Sequence, residues 1–458
     1  MSGRATATGP RREAGEAWLA LAERVVAEAE RAGATQAETL VVAEDAALTR
    51  FANSEIHQNV AETNVRIGLR FVLGKRIGVA STDRTDAEGV GRLVERAARV
   101  AALAAEVPDF VSLPGPGPIP RVEGAYAATT ADASPELRAD AARAVIAAAD
   151  ETGAAAYGSF STTTETVAVA NSLGVRVHEA RTSSQLVVVA MASDGGSGYA
   201  EALAVDAASI DPQRLGREAA EKARASRHPV ALEPGEYPVV LEEYAVGDLV
   251  DMLGYLGFGA LAVQERRSFM EPGKRVGSEL VTIRDDATDP AGLPAAFDYE
   301  GVGKQPVTLI ERGVCRDVVY DSATAAREGK RSTGHALPAP NPWGPFPLNL
   351  LMEPGDTPRD ELVGGLERGL LVTRFHYTNP VHPKLAIVTG MTRDGTFLVE
   401  GGRVVGPVRN LRYTQSYLEA LAGVEAVGRE RRCVRGLGST VVPAVRIASW
   451  TFTGATEE

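Results

Sequence analysis

The residues of this chain that could do chemistry are six histidines, two cysteines and a few adjacent carboxylates. A zinc hydrolase commonly places two histidines and a glutamate on one helix, so that neutral imidazoles hold the metal and the carboxylate activates its water. The only adjacent histidine and glutamate here are His178-Glu179, followed by Ala-Arg-Thr-Ser with no second histidine, on a predicted strand. We read that pair as structural. His376 and His382 flank the FHYTNPVHP segment on a predicted loop. Pro380 and Pro383 and the missing third ligand make them turn or surface histidines. Cys315, in the strand VTLIERGVCRDVVY, reads as core. Cys433 stands in RRCVRGLGSTVVPAVRI, and a lone thiolate cannot hold zinc.

Glu242 and Glu243 are adjacent, and on one strand their side chains would point to opposite faces, which disfavours a shared acid/base site. Asp285-Asp286 reads as the end of a strand. His335 follows Ser332, Thr333 and Gly334 in a loop ahead of the proline-rich run PAPNPWGPFP. Conformationally special loops on rigid scaffolds often touch ligands, so Ser332, Thr333 and His335 are candidates to line a ligand site. No GxSxG elbow is present, which disfavours a serine hydrolase. The turn Asp194-Gly-Gly-Ser-Gly-Tyr199 does not lead into a helix as a phosphate loop must, and reads as a hairpin.

The stretch Pro238 to Phe269 reads as a short apolar strand, an acidic break and a long amphipathic helix on which Val246, Leu249, Val250, Leu253, Leu256 and Ala260 share a face. Around it the chain reads as α+β. A tail (1–17) is expected to be disordered. A helix from Trp18 to Arg31, an antiparallel meander and a helix from Asp86 to Ala105 form a first unit (18–113). LPGPGPIP, rich in residues that stop regular structure, marks a linker (114–122). A second α+β unit (123–230) runs from a Ser134-capped helix through alternating strands to a helix from Asp211 to Ala225. The larger C-terminal region (231–458) is strand-rich, with hairpin turns at Arg312-Gly313, Asp394-Gly395 and Gly401-Gly402. No repeat of fixed period appears.

A net charge of -12 argues against a nucleic-acid surface. Hydrophobic residues at 44% and charged residues at 24% are ordinary globular values, so a large core is expected. Two cysteines give no disulfide framework. No apolar run approaches the ~20 residues that span a bilayer, and the first residues lack the apolar stretch of a secretory signal. A cytoplasmic protein with no membrane partner is the expectation.

Taken in order, several segments resemble the TldD/TldE (PmbA) peptidases. They are RFANSEIHQNV, GKRIGVAST, NSLGVRVHEARTSS, DGGSGYA, LEPGEYPVVLEEYAV, SFMEPGKRVGSELVTIRDD, FDYEGVGKQPVTLIERGV, REGKRSTGHA, NLLMEPGD, the run from Ile387 to Ser416 and the closing VPAVRIASWTFTG. The resemblance implies an intracellular protease assembled from two homologous subunits that acts on extended or unfolded peptides. One subunit type, TldD, carries an HExxxH helix and a later metal-binding cysteine; the other, TldE, lacks the motif. This chain looks like the TldE type, with Asp251, Met252 and Leu256 standing approximately at the motif positions and Cys433 near that of the cysteine, as a vestige. On that reading the chain holds no catalytic residue and no metal, and zinc belongs to a TldD-like partner. Two alternatives stay open: an autonomous homo-oligomeric metallopeptidase of the same family, using Cys433 with histidines such as His376 or His382, and a non-proteolytic regulatory protein of the DNA gyrase modulator type.

Overall fold

The computed structural model describes residues 9–455, with side chains described from position 14. Helix α1 (Gly9–Arg31) leads into three antiparallel strands, β1 (Gln36–Ala52), β2 (Glu55–Leu73) and β3 (Arg76–Thr82), and then α2 (Ala87–Leu103), capped by the Asp86 side chain. After the linker come α3 (Ala128–Ala131), α4 (Pro135–Asp150), β4 (Ala154–Asn171), β5 (Arg176–Ala192), β6 (Ser197–Ala204) and α5 (Pro212–Ala225). Ser134 caps α4 and Asp211 caps α5, each accepting from a backbone N–H three residues on.

The two units expected from the sequence do not form separate sheets. They share one six-stranded antiparallel sheet in the order β3-β2-β1-β4-β5-β6, because β1 pairs with β4 from Glu38↔Asn171 to Phe51↔Gly158. Strand alternation gives this sheet two apolar faces. On one face, Leu19, Val25 and Val26 of α1 and Leu93 and Val94 of α2 pack with Ile67, Phe71 and Ala168. Farther along the same face, Val145 of α4 and Leu215 and Ala219 of α5 pack with Phe160, Leu186 and Val188. The opposite face presents Val167 and Val169 to Phe297 of the C-terminal region.

That region begins with β7 (Gly235–Leu241), α6 (Glu243–Gly257) and α7 (Ala260–Gln264), followed by β8 (Ile283–Asp285), β9 (Val307–Glu311), β10 (Val314–Cys315) and α8 (Ser322–Arg327). Then come β11 (Asn349–Met352), α9 (Arg359–Gly364), β12 (Arg368–His382), β13 (Ile387–Glu400), β14 (Arg403–Pro407), β15 (Leu411–Ser416), α10 (Tyr417–Ala422), β16 (Val424–Arg435) and β17 (Ser439–Ala455). The strands form one mixed sheet ordered β10-β9-β8-β11-β17-β15-β13-β12-β7, with β14 on β13 and β16 on β17. Strand β7 also pairs with β17, so β17, β15, β13, β12 and β7 close on themselves. Trp450 of β17 is fully buried among Phe375, Tyr413 and Tyr417.

The α+β character and the strand-rich C-terminal part match the sequence-based expectation, with three differences. Helix α1 starts at Gly9, so residues 9–17, expected as disordered tail, are helical; residues 1–8 lie outside the described residues. Helix α6 stops at Gly257 instead of running through Ala260, because Phe258 turns into the core and packs edge-on against Phe269. It is also buried almost all round, not on one stripe, since it packs against β12 and β17 and meets β16 and β11 as well.

Candidate functional site

The first turn of α6 gathers several buried charges. Glu242 is the N-cap residue and Glu243 the first helical residue, so the chain has left strand geometry there and the expected divergence of their side chains does not occur. Both are buried, at 4% exposure each. Glu242 accepts from Lys222 of α5 (2.6 Å) and from Arg359 of α9 (2.6 Å), while Glu243 accepts from the same Arg359 (3.1 Å). Lys222 also donates to Glu218 (3.1 Å), and Arg432 of β16 pairs with Glu218 (3.1 Å) and donates to the Tyr244 hydroxyl (2.7 Å). Burial works against ionising Glu242, but Lys222 and Arg359 outweigh it and hold its carboxyl below the usual range. The same contest leaves Glu218 at about 2, with Lys222 and Arg432 prevailing. Glu242 and Glu218 are therefore charged anchors of the helix start.

The positions expected to match a metal motif do not open onto a common site. Leu256 is in the core at 2% exposure, Met252 packs against it, and Asp251 accepts from the Leu437 N–H (2.9 Å), holding the turn between β16 and β17. Strand β16 runs beside the beginning of α6, where Arg432 meets Tyr244 and the Val434 side chain abuts Gly247. Tyr244 donates to Glu218 (3.0 Å), and Asp248 accepts from Thr378 (2.9 Å), with burial pushing its carboxyl up to about 7.

A zinc ion does not suit these groups. Lys222, Arg359 and Arg432 already bring three cationic side chains to this turn. Because Arg432 and Val434 face α6, alternation sets Cys433 on the other face of β16, opposite Val441. Burial, with Glu201 nearby, pushes the Cys433 thiol up to about 12, so it is no thiolate at neutral pH. Among the described residues no group of three or more His, Cys, Asp or Glu side chains is placed to hold a metal ion. A thiol-specific chromogenic disulfide at pH 8 is therefore expected to find no fast-reacting cysteine in the native protein, Cys315 being buried, and two in denaturant. A fast native signal of one equivalent, lost in Cys433→Ser, would refute the reading of half-buried Cys433 as a protonated, unreactive thiol.

His376, His382 and His178 all stand on strands. His376 and His382 lie on β12, not on a loop, and His382 accepts from the Leu385 N–H (3.3 Å). His178 stands on β5 at 3.5 Å from Glu16, and Glu179 accepts from the Ala296 N–H (3.1 Å), tying the sheet to the C-terminal region.

His335 is different. Its side chain is fully buried, with Nε2 at 2.8 Å from Asp285 and Nδ1 at 2.9 Å from the Thr333 hydroxyl. Gly334, at φ +76, lets the loop pass tightly over the Gly303 carbonyl, where a side chain could not fit. Burial lowers the His335 pKa, with Lys304 adding to it, so the imidazole is neutral; Nε2–H donates to Asp285 and Nδ1 accepts from Thr333. Ser332 and Thr333 bond the Tyr320 backbone, and His335 stands behind a cavity wall instead of on it.

That cavity, about 280 Å³, lies between the second face of the six-stranded sheet and the C-terminal region. Its charged lining is Glu44, Glu165, Arg181, Asp298, Lys304 and Arg435. Asp298 accepts from the N–H groups of Glu300 (3.0 Å), Val302 (2.9 Å) and Ala336 (2.8 Å), and burial, together with Glu300, raises its carboxyl to about 7. Sequence reasoning missed this group. Arg181 and Asp298 lie 117 residues apart on separate units, and only the Asp285-Asp286 pair gave a signal nearby.

With this geometry in view, comparison with known proteins is decisive. The chain matches the PmbA/TldA metallopeptidase domain 1 over residues 37–101, the central domain over 128–227 and the C-terminal domain over 234–454. It belongs to the PmbA/TldD family. A metalloprotease of Methanothermobacter thermautotrophicus is 29% identical over 284 residues, covering 57% of this chain and 60% of that relative. A zinc metalloprotease TldD homologue of Saccharolobus solfataricus is 26% identical over 211 residues, covering 43% of this chain and 44% of the relative. The matched segments thus span between two fifths and three fifths of these PmbA/TldD relatives. TldE from Thermococcus kodakarensis shares the fold, with a TM-score of 0.85 at 21% identity over 95% of this chain and 100% of that one.

Proposed function

We propose that this chain is the non-metal, TldE-type subunit of a TldD/TldE-type metallopeptidase that degrades or matures unfolded peptides in the cytoplasm. The observation that carries this reading is that the motif-equivalent positions on α6 are engaged within the protein. Where the resemblance puts the imidazoles and glutamate of a metallopeptidase helix, Asp251 accepts from the Leu437 N–H, Met252 packs against the core and Leu256 lies within it. On this reading a TldD-like partner supplies zinc and the glutamate base. This chain supplies one wall of the peptide site, to which Ser332, Thr333 and the His335 loop behind the cavity contribute. The charge of -12 accords with a partner other than nucleic acid. Among the described residues no helix is long and apolar enough to cross a membrane.

The test is proteolysis of unfolded casein by the purified chain alone, by a TldD-like subunit from the same host, and by both together. The pair is expected to cleave at least ~100-fold faster than this chain alone, a difference of about 2.7 kcal/mol in barrier. EDTA should stop the pair. Cleavage by the homogeneous chain alone at a rate EDTA abolishes would overturn the assignment.

A further inference from the structure

Lys304 is the one lysine lining the cavity and is 6% exposed. Among the described residues its ammonium makes no hydrogen bond and no ion pair. The two nearest carboxylates are already engaged: Asp285 by His335 and by the Asn349 N–H (2.8 Å), Asp298 by its three backbone donors. The residue is buried while its ammonium opens onto the cavity, where no protein acceptor meets it. At the rim, Arg435 is exposed and its guanidinium likewise has no ion pair among the described residues. Arg181 is not free in this way, because Glu165 holds it at 2.6 Å. The cavity therefore presents two unused cations, one at its base and one at its mouth. Glu44, Glu165 and Asp298 share the lining, so a doubly charged anion such as phosphate would be repelled more than a singly charged one.

We propose that this cavity binds a carboxylate through Lys304 and Arg435, and that the carboxylate is the free C-terminal end of a peptide. The proposal rests on the reading of this chain as a peptide-handling subunit and names the substrate feature that subunit recognises. A carboxylate entering the cavity supplies the acceptor Lys304 lacks, and it does so in a partly desolvated place where a charge-assisted bond is strong. Burial depresses the Lys304 pKa, with Arg181 adding to it and Asp285 and Asp298 opposing, and an incoming negative charge would relieve that burden. Arg435, outside, offers a planar fork matched to a carboxylate and would guide it inward.

The experiment is calorimetric titration of the full chain, without a partner, with three probes: acetyl-tetraalanine as the free acid, the same peptide as the C-terminal amide, and acetyl-Ala-Asp-Ala-Ala amide. The free acid is expected to bind at least ~10-fold more tightly than the amide. Lys304→Met, which replaces the charge by an apolar group of similar length, should erase that preference in a protein that remains folded. Arg435→Gln, at the surface, should weaken the acid about 3- to 10-fold with the fold untouched. If the aspartyl amide binds as well as the free acid, the carboxylate site stands and its source is a side chain. Equal binding of acid and amide, no binding of either, or an undiminished preference in a folded Lys304→Met protein overturns the proposal. No proteolysis is read here, so a failure leaves the subunit assignment intact, and a failure of the casein assay leaves this titration to be judged by itself.

Discussion

Asp285→Ala is expected to destabilise the C-terminal region by about 3–5 kcal/mol, because it leaves two buried donors without their charged acceptor at about 1–3 kcal/mol each. Asp285 and His335 both have 0% side-chain exposure. The carboxylate accepts from His335 Nε2 (2.8 Å) and from the Asn349 N–H (2.8 Å), the latter at the start of β11. Truncation orphans both donors in a place water does not reach, and it removes one of the two anions that offset buried Lys304. Asp285→Asn keeps an acceptor for one donor and should cost less, about 1–2 kcal/mol. Urea unfolding followed by tryptophan fluorescence reports the region directly, because Trp450 is fully buried there. A change in Asp285→Ala below about 1 kcal/mol would mean that the pair does not hold the loop.

The second large effect is a loss of stability on the alkaline side. Glu38 of β1 is 5% exposed and shares a single guanidinium with Glu300: Arg70 lies 2.6 Å from Glu38 and 2.9 Å from Glu300. Burial raises the Glu38 carboxyl to about 8, with Arg70 pulling down and Glu300 pushing up. The folded protein therefore holds a proton that the unfolded chain releases near the ordinary glutamate value of 4.5. The native state binds more protons across that interval, so stability is full below it, falls as pH rises through it, and the contribution is gone above about 8. Asp298 and Asp248, each raised to about 7 chiefly by burial, act in the same direction. Melting temperature is expected to drop between pH 6 and 9 by the equivalent of a few kcal/mol, since each pH unit separating the folded and unfolded pKa is worth about 1.4 kcal/mol. Glu38→Gln, neutral at every pH, should flatten the part of that decline above pH 7. An identical slope in wild type and Glu38→Gln would exclude Glu38 as its source.

Local chemistry made much of the fold legible in the sequence. Asp86, Ser134 and Asp211 cap the helices they were expected to start, and Gly74 and Lys75 turn the β2–β3 hairpin. What was not legible depends on contacts between distant residues. No local pattern reports that β1 pairs with β4, since the register Glu38↔Asn171 joins segments more than a hundred residues apart. Glu242 and Glu243 were misjudged because strand alternation was extended one residue past the point where a helix begins. His335 was singled out from its loop, but its role as a buried anchor needed Asp285, fifty residues earlier.

The helix, three-strand meander, helix pattern occurs twice, and its two occurrences meet where β1 lies against β4. The seam is thus a ladder of main-chain bonds and not a flexible joint. A nick anywhere in 114–122 would sever the covalent thread without liberating a fragment, and the two pieces would migrate together until denaturant melted the ladder. Nor could either half be transplanted alone. A piece ending at residue 113 would bear a bare seventeen-residue flank along β1, ready to capture a copy of itself.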